Sequence, residues 1–508
     1  MVAVIGGGAT GLAVVRALDA ATTKTQIRFD VLLIEASGVV GPGLAYGTDD
    51  AGHLINMPAA TMGFGDPADF QRWRAIGCEE AETATPFREA VSPYPPRSVY
   101  GQYLSSIASR LLEQRDGSLL SVRVLADQVV ALVENRQRVM LRLKRHGMVP
   151  VDSAVLAIGA LPPTTYGELH GTPGYIPSPW PHTALRAIPP GDNVTILGSS
   201  LTAIDAARSL VGRGHTGSIT FVSRHGHLPK VQGNTADYRG ASRLRHRLLA
   251  LIECGPPSWD QVLAILRDEI AQINDGDPWD LQGGPSDPLE FLRKEITSAQ
   301  TGRTRWQEVL MATSGIVETL WHAMTAGEKA HFDHALSSAW MSNRHPMPLP
   351  NALFLRHLLE QKQLTILRCD GPEVVFRTVN GGGFVFDTDG CHAPSRWMIN
   401  CTGVGRDVTK ARSPLLRQLL ASGQLMPHPS GGVAVDFASF RALDRGGRQS
   451  RRLFVVGPLT RGVHFYTHAI ERHLEHARRV ASELVERHPA ILHGVLTDAS
   501  LVRPGAGV

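Results

Sequence analysis

The amino-terminal segment constrains the fold of this chain more than any other stretch. Four apolar residues, 2–5, run directly into Gly6-x-Gly8-x-x-Gly11, and residues 12–18 continue as the opening of a helix. In such a pattern the first glycine permits a tight turn, the second lets the backbone approach a pyrophosphate, and the third lets the helix pack on the strand. The free N–H groups at the helix N-terminus attract phosphate. The segment therefore predicts a strand, a turn and a helix that bind a dinucleotide.

A glycine pattern alone is a weak signal, and the second strand supplies the confirming feature. Residues 31–34 are apolar and end at Glu35, 24 residues after Gly11. An acidic side chain at this position accepts hydrogen bonds from a ribose 2′-OH. Glu35 therefore favours an adenosine without a 2′-phosphate, as in FAD or NAD, over a bare glycine turn.

A second unit of the same kind begins near residue 194. Apolar residues 194–197 run into Gly198-Ser199-Ser200-Leu201-Thr202-Ala203, where small residues replace two of the glycines. The next strand, 218–222, ends in Ser223-Arg224-His225, at the position that corresponds to Glu35. A cation and a hydroxyl suit a 2′-phosphate, so the second site favours NADPH over NADH. The alternative is a Rossmann-shaped domain that binds no nucleotide.

The composition is that of a globular protein with an ample core. The chain has 508 residues, 43% of them hydrophobic and 19% charged, which suggests about three domains. The net charge is +4 and the basic residues are scattered, which argues against nucleic-acid binding. A run of 18 apolar residues and a basic leader are both missing from the sequence, so neither a membrane span nor a signal peptide is expected.

The five cysteines indicate reduced thiols in a cytoplasm. None of them forms C-x-x-C, and their spacing fits no zinc site, so no metal is predicted. An odd, sparse set is typical of a reducing compartment. The missing C-x-x-C also argues against the disulfide-reductase branch of flavoproteins.

The rest of the chain alternates strands and helices around a helical region. Residues 122–133 and 139–143 predict a β-meander inserted in the first nucleotide domain. Helical periodicity marks residues 244–252, 259–273, 288–296 and 306–324. Buried strands that end in glycine are predicted at 154–159, 396–403 and 452–457, and a last helix is predicted from near Tyr466 to about Arg487.

Several loop residues are candidates for ligand contacts. The loops 41–47 and 53–59 follow the second strand, where the far end of a cofactor lies in open α/β sheets, so Asn56 and the backbone of Met57 are candidates. Arg97, just before a predicted helix that ends at Leu112, could clamp an anion. Arg344 and His345 could reach an active site. The alternative for the two loops is a plain surface loop, and the alternative for Arg97 is a surface arginine without a ligand. The alternative for Arg344 and His345 is a structural turn.

These stretches together resemble the two-dinucleotide-binding flavoprotein superfamily, which includes class B monooxygenases and N-hydroxylating ornithine and lysine monooxygenases. Within it, the chain is most similar to the FAD/NAD(P)-binding family of YdhS-like bacterial proteins. The matching stretches are 41–46, 53–59, 96–104, 223–229, 344–348 and 457–462. One departure is Tyr466, which stands where many relatives carry an acidic residue.

The resemblance implies an α/β fold with two Rossmann-like dinucleotide-binding domains, one for FAD and one for NADPH, and a helical insertion. The predicted FAD contacts are Gly6, Gly8, Ala9, Thr10, Gly11, Glu35, His53, Asn56, Met57, Gly159, Gly457 and Thr467. The predicted NADPH contacts are Gly198, Ser199, Ser200, Thr202, Ser223, Arg224 and His225. The expected division is an FAD domain at 1–190 and 401–490, an NADPH domain at 191–232 and 351–400, an insertion at 233–350 and a tail at 491–508.

The predicted activity follows from two cofactors without a protein redox relay. Reduced flavin must then pass electrons to O₂ or directly to a substrate. We therefore predict an FAD- and NADPH-dependent monooxygenase that acts through a flavin C4a-(hydro)peroxide. By analogy with relatives, it N-oxidises a small amino acid or amine, for example aspartate to nitrosuccinate. The alternatives are an NAD(P)H-dependent flavin oxidoreductase without oxygen insertion and a non-catalytic flavin-binding protein.

Candidate residues for this chemistry divide into two groups. His464, Tyr466 and His468 are candidate acids or bases at the flavin ring. Arg97, Arg344 and Arg461 are candidates for a substrate carboxylate. The expected partners are a small-molecule substrate and O₂, with no nucleic acid and no membrane.

Overall fold

The computed structural model describes residues 1–81, 92–113, 117–233, 236–273, 279, 281, 287–369, 383–388 and 391–487. Its strands are β1 (Val2–Ile5), β2 (Phe29–Ile34), β3 (Leu120–Leu125), β4 (Val129–Glu134), β5 (Val139–Leu143), β6 (Gly147–Val151), β7 (Ser153–Leu156), β8 (Tyr175–Ile176), β9 (Val194–Leu197), β10 (Ile219–Ser223), β11 (Leu364–Arg368), β12 (Phe384–Thr388), β13 (Cys391–Ser395), β14 (Trp397–Asn400), β15 (Arg441–Leu443) and β16 (Gln449–Val455).

The helices fall between these strands and in one long insertion. They are α1 (Ala9–Thr25), α2 (Gly43–Tyr46), α3 (Asp69–Ala81), α4 (Arg97–Leu112), α5 (Leu201–Gly212), α6 (Ala241–Glu253), α7 (Trp259–Ala271), α8 (Pro288–Gln300), α9 (Trp306–Ala312), α10 (Val317–Ala323), α11 (Ala326–His331), α12 (Ser337–Arg344), α13 (Leu349–Glu360), α14 (Pro414–Ala421) and α15 (Ile470–Glu486). A π-helix, Phe332–Leu336, joins α11 to α12.

Two mostly parallel sheets form the frame of the molecule. The first has the order β15-β16-β7-β1-β2-β3, in which only the β15–β16 pair is antiparallel. The second has the order β11-β10-β9-β14-β8 and is parallel throughout. Two parallel sheets with crossover helices confirm the predicted α/β class with two Rossmann-like units.

Apolar patterning explains why the central strands are buried. All four residues of β1 and all four of β9 are buried, as expected for strands covered on both faces. On one face of the first sheet α1 packs beside α15, and Leu12, Leu18 and Val480 belong to the same apolar core. The opposite face carries a second core, to which α14 and the β4–β6 meander contribute.

The insertion has an aromatic core of its own that reaches the end of the first unit. Trp259 and Phe332 stack with centroids 4.5 Å apart, and Trp321 stacks on Phe465 at 4.9 Å. The indole Nε1 of Trp321 donates a 3.0 Å hydrogen bond to the carbonyl oxygen of Gly462. The insertion is thereby fixed to the segment between β16 and α15.

Several sequence predictions need correction at this level. β3 lies parallel to β2 in the first sheet, so only β4–β6 form the antiparallel meander. The single helix predicted over 306–324 is two helices, α9 and α10, separated by a short 3₁₀ turn. The last helix begins at Ile470 rather than near Tyr466, because Tyr466 has a φ of +55°.

Three other predictions are only partly covered. The second sheet includes β8, which precedes residue 191, while the domain boundaries themselves stay a prediction. The tail 491–508 and the side chains of Cys78 and Cys391 lie outside the described residues. Among the helices that the structure describes, none has the length and apolarity needed to cross a bilayer.

Candidate active site

The turn between β1 and α1 has no room for side chains at two of its glycines. Gly6 has a φ of +105°, and a Cβ atom there would lie 2.4 Å from the carbonyl oxygen of Ala157. A Cβ atom on Gly11 would lie 1.9 Å from the carbonyl oxygen of Gly6. α1 begins at Ala9, and no described side chain caps its N-terminus. The free N–H groups and the tight turn fit a pyrophosphate.

Glu35 is held beside this turn by hydrogen bonds to its carboxylate. Its Oε2 accepts a 2.7 Å bond from the backbone N–H of Gly7, and its Oε1 accepts a 3.0 Å bond from the N–H of Ser37. The carboxylate is half-buried at the carboxyl end of β2. Ribose binding by Glu35 stays a prediction. Ser37, which orients the carboxylate, was not part of that prediction.

Two other segments flank the same turn. The N–H of Gly41 donates a 2.8 Å hydrogen bond to the carbonyl oxygen of Gly7. A Cβ atom on Gly457 would lie 3.0 Å from Oγ1 of Thr10, at the start of α1. The loop after β2 and the segment after β16 therefore both border the site predicted for FAD, which fits a cofactor that extends from the turn along the strand ends.

The remaining predicted FAD residues occupy different surroundings. Asn56 and Met57 are half-buried, and Met57 packs on the apolar core of the first sheet. Gly159 has a φ of +77° and open space where a Cβ would lie. Thr467 is buried, and its carbonyl oxygen lies 2.9 Å from Nε2 of His473. The contacts of these four residues with FAD stay predictions.

The turn between β9 and α5 repeats the first one with different chemistry. Gly198 has a φ of +112°, and a Cβ atom there would lie 2.6 Å from the carbonyl oxygen of Cys401. The hydroxyl of Ser199 donates to Oγ of Ser223 at 2.8 Å, which links the turn to the end of β10. Ser200 precedes α5, and Thr202 lies in its first turn.

The carboxyl ends of β10 and β11, next to this turn, are rich in positively charged side chains. Arg224 and His225 are exposed just after β10. Arg368 is in register with Ser223 at the end of the neighbouring strand β11, a contact that no local sequence pattern indicates. Arg368, His225 and Lys230 all lie close enough to lower the pKa of His227, although burial is the larger cause. A surface of this kind suits a 2′-phosphate.

The carboxyl ends of the two sheets meet at one cleft. The N–H of Gly405, after β14, donates a 2.9 Å hydrogen bond to the carbonyl oxygen of Leu161, after β7. The hydroxyl oxygens of Thr165 and Thr402 are 2.6 Å apart in the same region. Ligands of open α/β sheets bind at the carboxyl ends of strands, so ligands of both turns would approach each other here.

His53 and Arg97 belong to the contact between the two units. Nε2 of His53 lies 2.6 Å from Oγ of Ser209 on α5. Arg97 donates a 2.8 Å bond to the carboxylate of Asp205, also on α5. Burial lowers the pKa of His53 to about 4 and raises the pKa of Asp205 to about 6, while Arg97 opposes the latter shift. Both predicted ligand residues therefore have partners within the protein.

Arg344 and Tyr466 are buried against each other between the insertion and the first unit. The guanidinium of Arg344 lies 5.0 Å from the centre of the Tyr466 ring and donates to Oγ of Ser314. Among the described residues Arg344 has no ion-pair partner. Trp340 donates a hydrogen bond to the Tyr466 hydroxyl, and burial raises the pKa of Tyr466, so this phenol is neutral at pH 7.

His464 is part of a buried cluster around Glu318 of α10. Nδ1 of His464 and Nε2 of His476 each lie 2.7 Å from the same carboxylate oxygen. Burial alone would raise the pKa of Glu318, but the two imidazoles hold it below its usual range. Within the described chain these are the three residues whose donor atoms could hold a metal ion together. Arg472 and Arg479 lie 4.0 and 3.5 Å from the other carboxylate oxygen, and their charges oppose a cation there.

Arg461 and His468 line a small cavity at the carboxyl ends of β7, β14 and β16. Other residues of its wall are Leu161, Gly405, Arg406 and Pro458. Desolvation of the His468 ring by the surrounding protein, and then the charges of Arg461 and Arg406, lower its pKa to about 4. Of the three predicted ring-side candidates, His468 is the one that lines this cavity.

The first nucleotide unit is similar to a known protein family. Residues 3–161 match the family model described as FAD-NAD(P)-binding, so this part of the chain is an FAD/NAD(P)-binding domain. No curated protein matches the sequence.

Solved structures share the fold along nearly the whole chain. The ornithine N-hydroxylase of Kutzneria sp. 744, solved with reduced FAD, NADP⁺ and L-ornithine, has a TM-score of 0.56 at 12% identity, over 96% of this chain and 99% of that one. The reduced ornithine hydroxylase of Pseudomonas aeruginosa has a TM-score of 0.57 at 13% identity, over 96% and 98%. L-lysine 6-monooxygenase of Pseudomonas syringae has a TM-score of 0.56 at 15% identity, over 96% and 99%. The predicted α/β fold with two Rossmann-like units is confirmed.

Replacing Gly11 with alanine is expected to abolish FAD binding. The new methyl group would lie 1.9 Å from the carbonyl oxygen of Gly6, so the turn and α1 must separate. The FAD content of the purified protein, measured by absorbance, should fall at least about tenfold. Gly212→Ala is the control, because no atom lies within 4 Å of a Cβ built there. Full FAD content in the Gly11→Ala protein would contradict this assignment of the turn.

Acid is expected to destabilise the folded protein between about pH 6.5 and pH 4. Burial lowers the pKa of His53 and His464 to about 4 and that of His345 and His473 to about 3, so unfolding binds protons in this window. Asp205 has the opposite effect, because its pKa is raised in the folded protein and it releases a proton on unfolding. It therefore offsets the contribution of about one histidine. Each of these histidines lowers the free energy of unfolding by about 1.4 kcal/mol for each pH unit of acidification in this window.

The histidine contribution is tested with His53→Gln. The slope of the unfolding free energy against pH, from urea denaturation, should decrease by about one proton, which is about 1.4 kcal/mol per pH unit. His246→Gln, which changes an exposed ring on α6, is the control. An unchanged slope in the His53→Gln protein would count against a neutral, buried His53.

Proposed function

We propose that the protein is an FAD- and NADPH-dependent monooxygenase that N-oxidises a small amino acid or amine. The observation that carries the proposal is the pair of glycine turns at one cleft, with opposite chemistry beside them. Glu35 suits an adenosine ribose without a phosphate, whereas Ser223 and Arg224 suit a 2′-phosphate. A hydride donor and its acceptor would then meet where Leu161 contacts Gly405.

The cysteines support oxygen chemistry rather than disulfide chemistry. The sequence contains no C-x-x-C, and the described cysteines Cys254 and Cys401 form no disulfide. Electrons that reach the flavin would therefore go to O₂ or directly to a substrate. The fold that the chain shares with two ornithine hydroxylases and a lysine 6-monooxygenase supports the first of these routes.

The residues of this chain would bind and orient the two cofactors. The turn at Gly6–Gly11 and Glu35 would hold FAD, and Gly198, Ser199 and Arg224 would hold NADPH. Bound FAD would accept a hydride from NADPH and pass electrons to O₂. The stacked pair Trp321 and Phe465, in the core of the insertion, would hold the insertion against the first unit.

The three ring-side candidates would have different roles. Burial next to Glu318 makes His464 a structural group, and the neutral phenol of Tyr466 is held by Trp340. His468 lines the cavity as a neutral imidazole and could accept a hydrogen bond from the substrate nitrogen, which would orient that nitrogen for oxidation. Aspartate, oxidised to nitrosuccinate, is the specific substrate that we propose to test first.

Turnover of the FAD-loaded protein with NADPH and a panel of amines and amino acids tests the reaction class. We expect O₂ uptake that depends on the amino acid, with an N-oxidised product detected by mass spectrometry. NADPH oxidation that yields only H₂O₂ or a reduced acceptor would instead indicate an oxidoreductase without oxygen insertion. A protein that holds FAD but oxidises no NADPH would be a non-catalytic flavin-binding protein.

Arg224→Ala is expected to reduce the preference for NADPH over NADH. Loss of a charge-assisted bond to the 2′-phosphate should lower the ratio of the two kcat/KM values by about 10- to 100-fold. Arg396→Ala is the matched control, because Arg396 is exposed at the opposite, amino end of β14 and lies near Asp192. An unchanged ratio in the Arg224→Ala protein would show that the 2′-phosphate assignment is wrong.

A further inference from the structure

The arginines beside His468 carry more positive charge than the neighbouring carboxylate neutralises. Arg406 and Arg461 line it, and both donate to the same oxygen, Oδ1 of Asp333, at 2.8 and 2.7 Å. Asp333 is their only ion-pair partner among the described residues. The site thus holds two guanidinium groups and one carboxylate.

One donor of Arg461 is also unused, whereas the Arg406 side chain is partly exposed to solvent. Nε of Arg461 is buried and has no hydrogen-bond partner in the described structure. A second carboxylate would supply acceptors for planar guanidinium groups, which match carboxylate oxygens in pairs. A buried donor without an acceptor costs about 1–3 kcal/mol, so a ligand that supplies one binds more favourably.

The position of the cavity is that of a substrate site. Leu161, Gly405 and Pro458 of its wall follow β7, β14 and β16, so it opens at the carboxyl ends of both sheets. The cleft that the two nucleotide turns share is at the same ends of the strands. An anion held here would lie beside His468.

Asp333 reaches this site from the insertion through an irregular helix. It lies in the π-helix Phe332–Leu336, between α11 and α12. Single π-turns of this kind interrupt regular helices and are frequent at functional sites. The free space in the cavity is about 10 Å³, close to the minimum for one water molecule. Because both arginines donate to Asp333, a ligand carboxylate could pair with both guanidinium groups only if the Asp333 side chain moves away.

We propose that Arg406 and Arg461 bind the carboxylate of the substrate, and that Asp333 fills this position until the substrate displaces it. The ligand class is a small, carboxylate-bearing amine whose nitrogen lies near His468, which rests on the proposed function. The anion site itself does not depend on turnover. Arg406 and Asp333 are substrate-recognition residues that the sequence pattern does not indicate.

Binding of a carboxylate that cannot be N-oxidised tests the site separately from the reaction. The FAD-loaded, full-length protein is titrated with succinate and, in parallel, with its neutral isostere succinamide, by calorimetry. We expect succinate to bind at least about tenfold more tightly than succinamide. Arg406→Gln and Arg461→Gln should each weaken succinate binding by about tenfold or more, whereas Arg396→Gln, the exposed control, should not change it.

Asp333→Asn distinguishes a displaceable carboxylate from a permanent ion pair. It should tighten succinate binding, because the competing charge is removed while the side chain keeps its size. Arg461→Lys keeps the positive charge and should restore part of the affinity that Arg461→Gln loses. FAD content and thermal midpoint identify variants that fail to fold. Equal succinate affinity in the wild-type and both arginine-to-glutamine proteins, or weaker binding in Asp333→Asn, would overturn the proposal.

The two proposals fail in distinguishable ways. Succinate binding that depends on the arginines, without N-oxidation of any amine, would support the anion site and refute the monooxygenase. N-oxidation of amines that lack a carboxylate, at the same kcat/KM as amino acids, would support the monooxygenase and refute the anion site.

Discussion

The architecture depends on the meeting of the carboxyl ends of the two parallel sheets. The hydrogen bond from the N–H of Gly405 to the carbonyl oxygen of Leu161 lies at this junction. Each partner follows the carboxyl end of a central strand, β7 in one sheet and β14 in the other. The pairs Arg97–Asp205 and His53–Ser209 join the same two units elsewhere. Because ligands of parallel sheets bind at carboxyl ends, this arrangement turns the glycine turns at Gly6 and Gly198 toward a shared region.

Three carboxylates at the junctions join the units of the chain, two of them buried and that of Asp333 half-buried. Asp205 of the second unit faces Arg97 of the first, Glu318 of the insertion faces His464, and Asp333 of the insertion faces Arg461. Removing one partner of a buried pair typically costs about 3–5 kcal/mol, because the remaining charge is left without compensation. Such contacts specify how the units meet more strongly than an apolar surface would. They also place the half-buried carboxylate of Asp333 beside two residues of the cavity wall, Arg406 and Arg461.

The sequence predicts well what local steric requirements determine. The glycines at 6, 11 and 198 are recognisable because a Cβ atom at each would strike backbone, and Glu35 because it ends a buried strand at a fixed distance. Alternating apolar residues in β3 resembled a meander, since strand alternation does not reveal which sheet a strand joins. The start of α15 was misplaced because a tyrosine with positive φ has no distinctive local pattern.

Residues that act through distant contacts were beyond the reach of such patterns. Glu318, Asp333, Arg368 and Arg406 come from four separate segments, and only the folded chain brings each to its partners. His53 and Arg97 lie in stretches that match the family, yet their partners are on α5. The glycine turns that reveal the cofactors are backbone features, which many enzymes share. On the proposed function, substrate recognition would depend instead on charges at the ends of loops and helices. The insertion that supplies Asp333 would then be the part of the chain in which substrate choice can change without loss of either nucleotide turn.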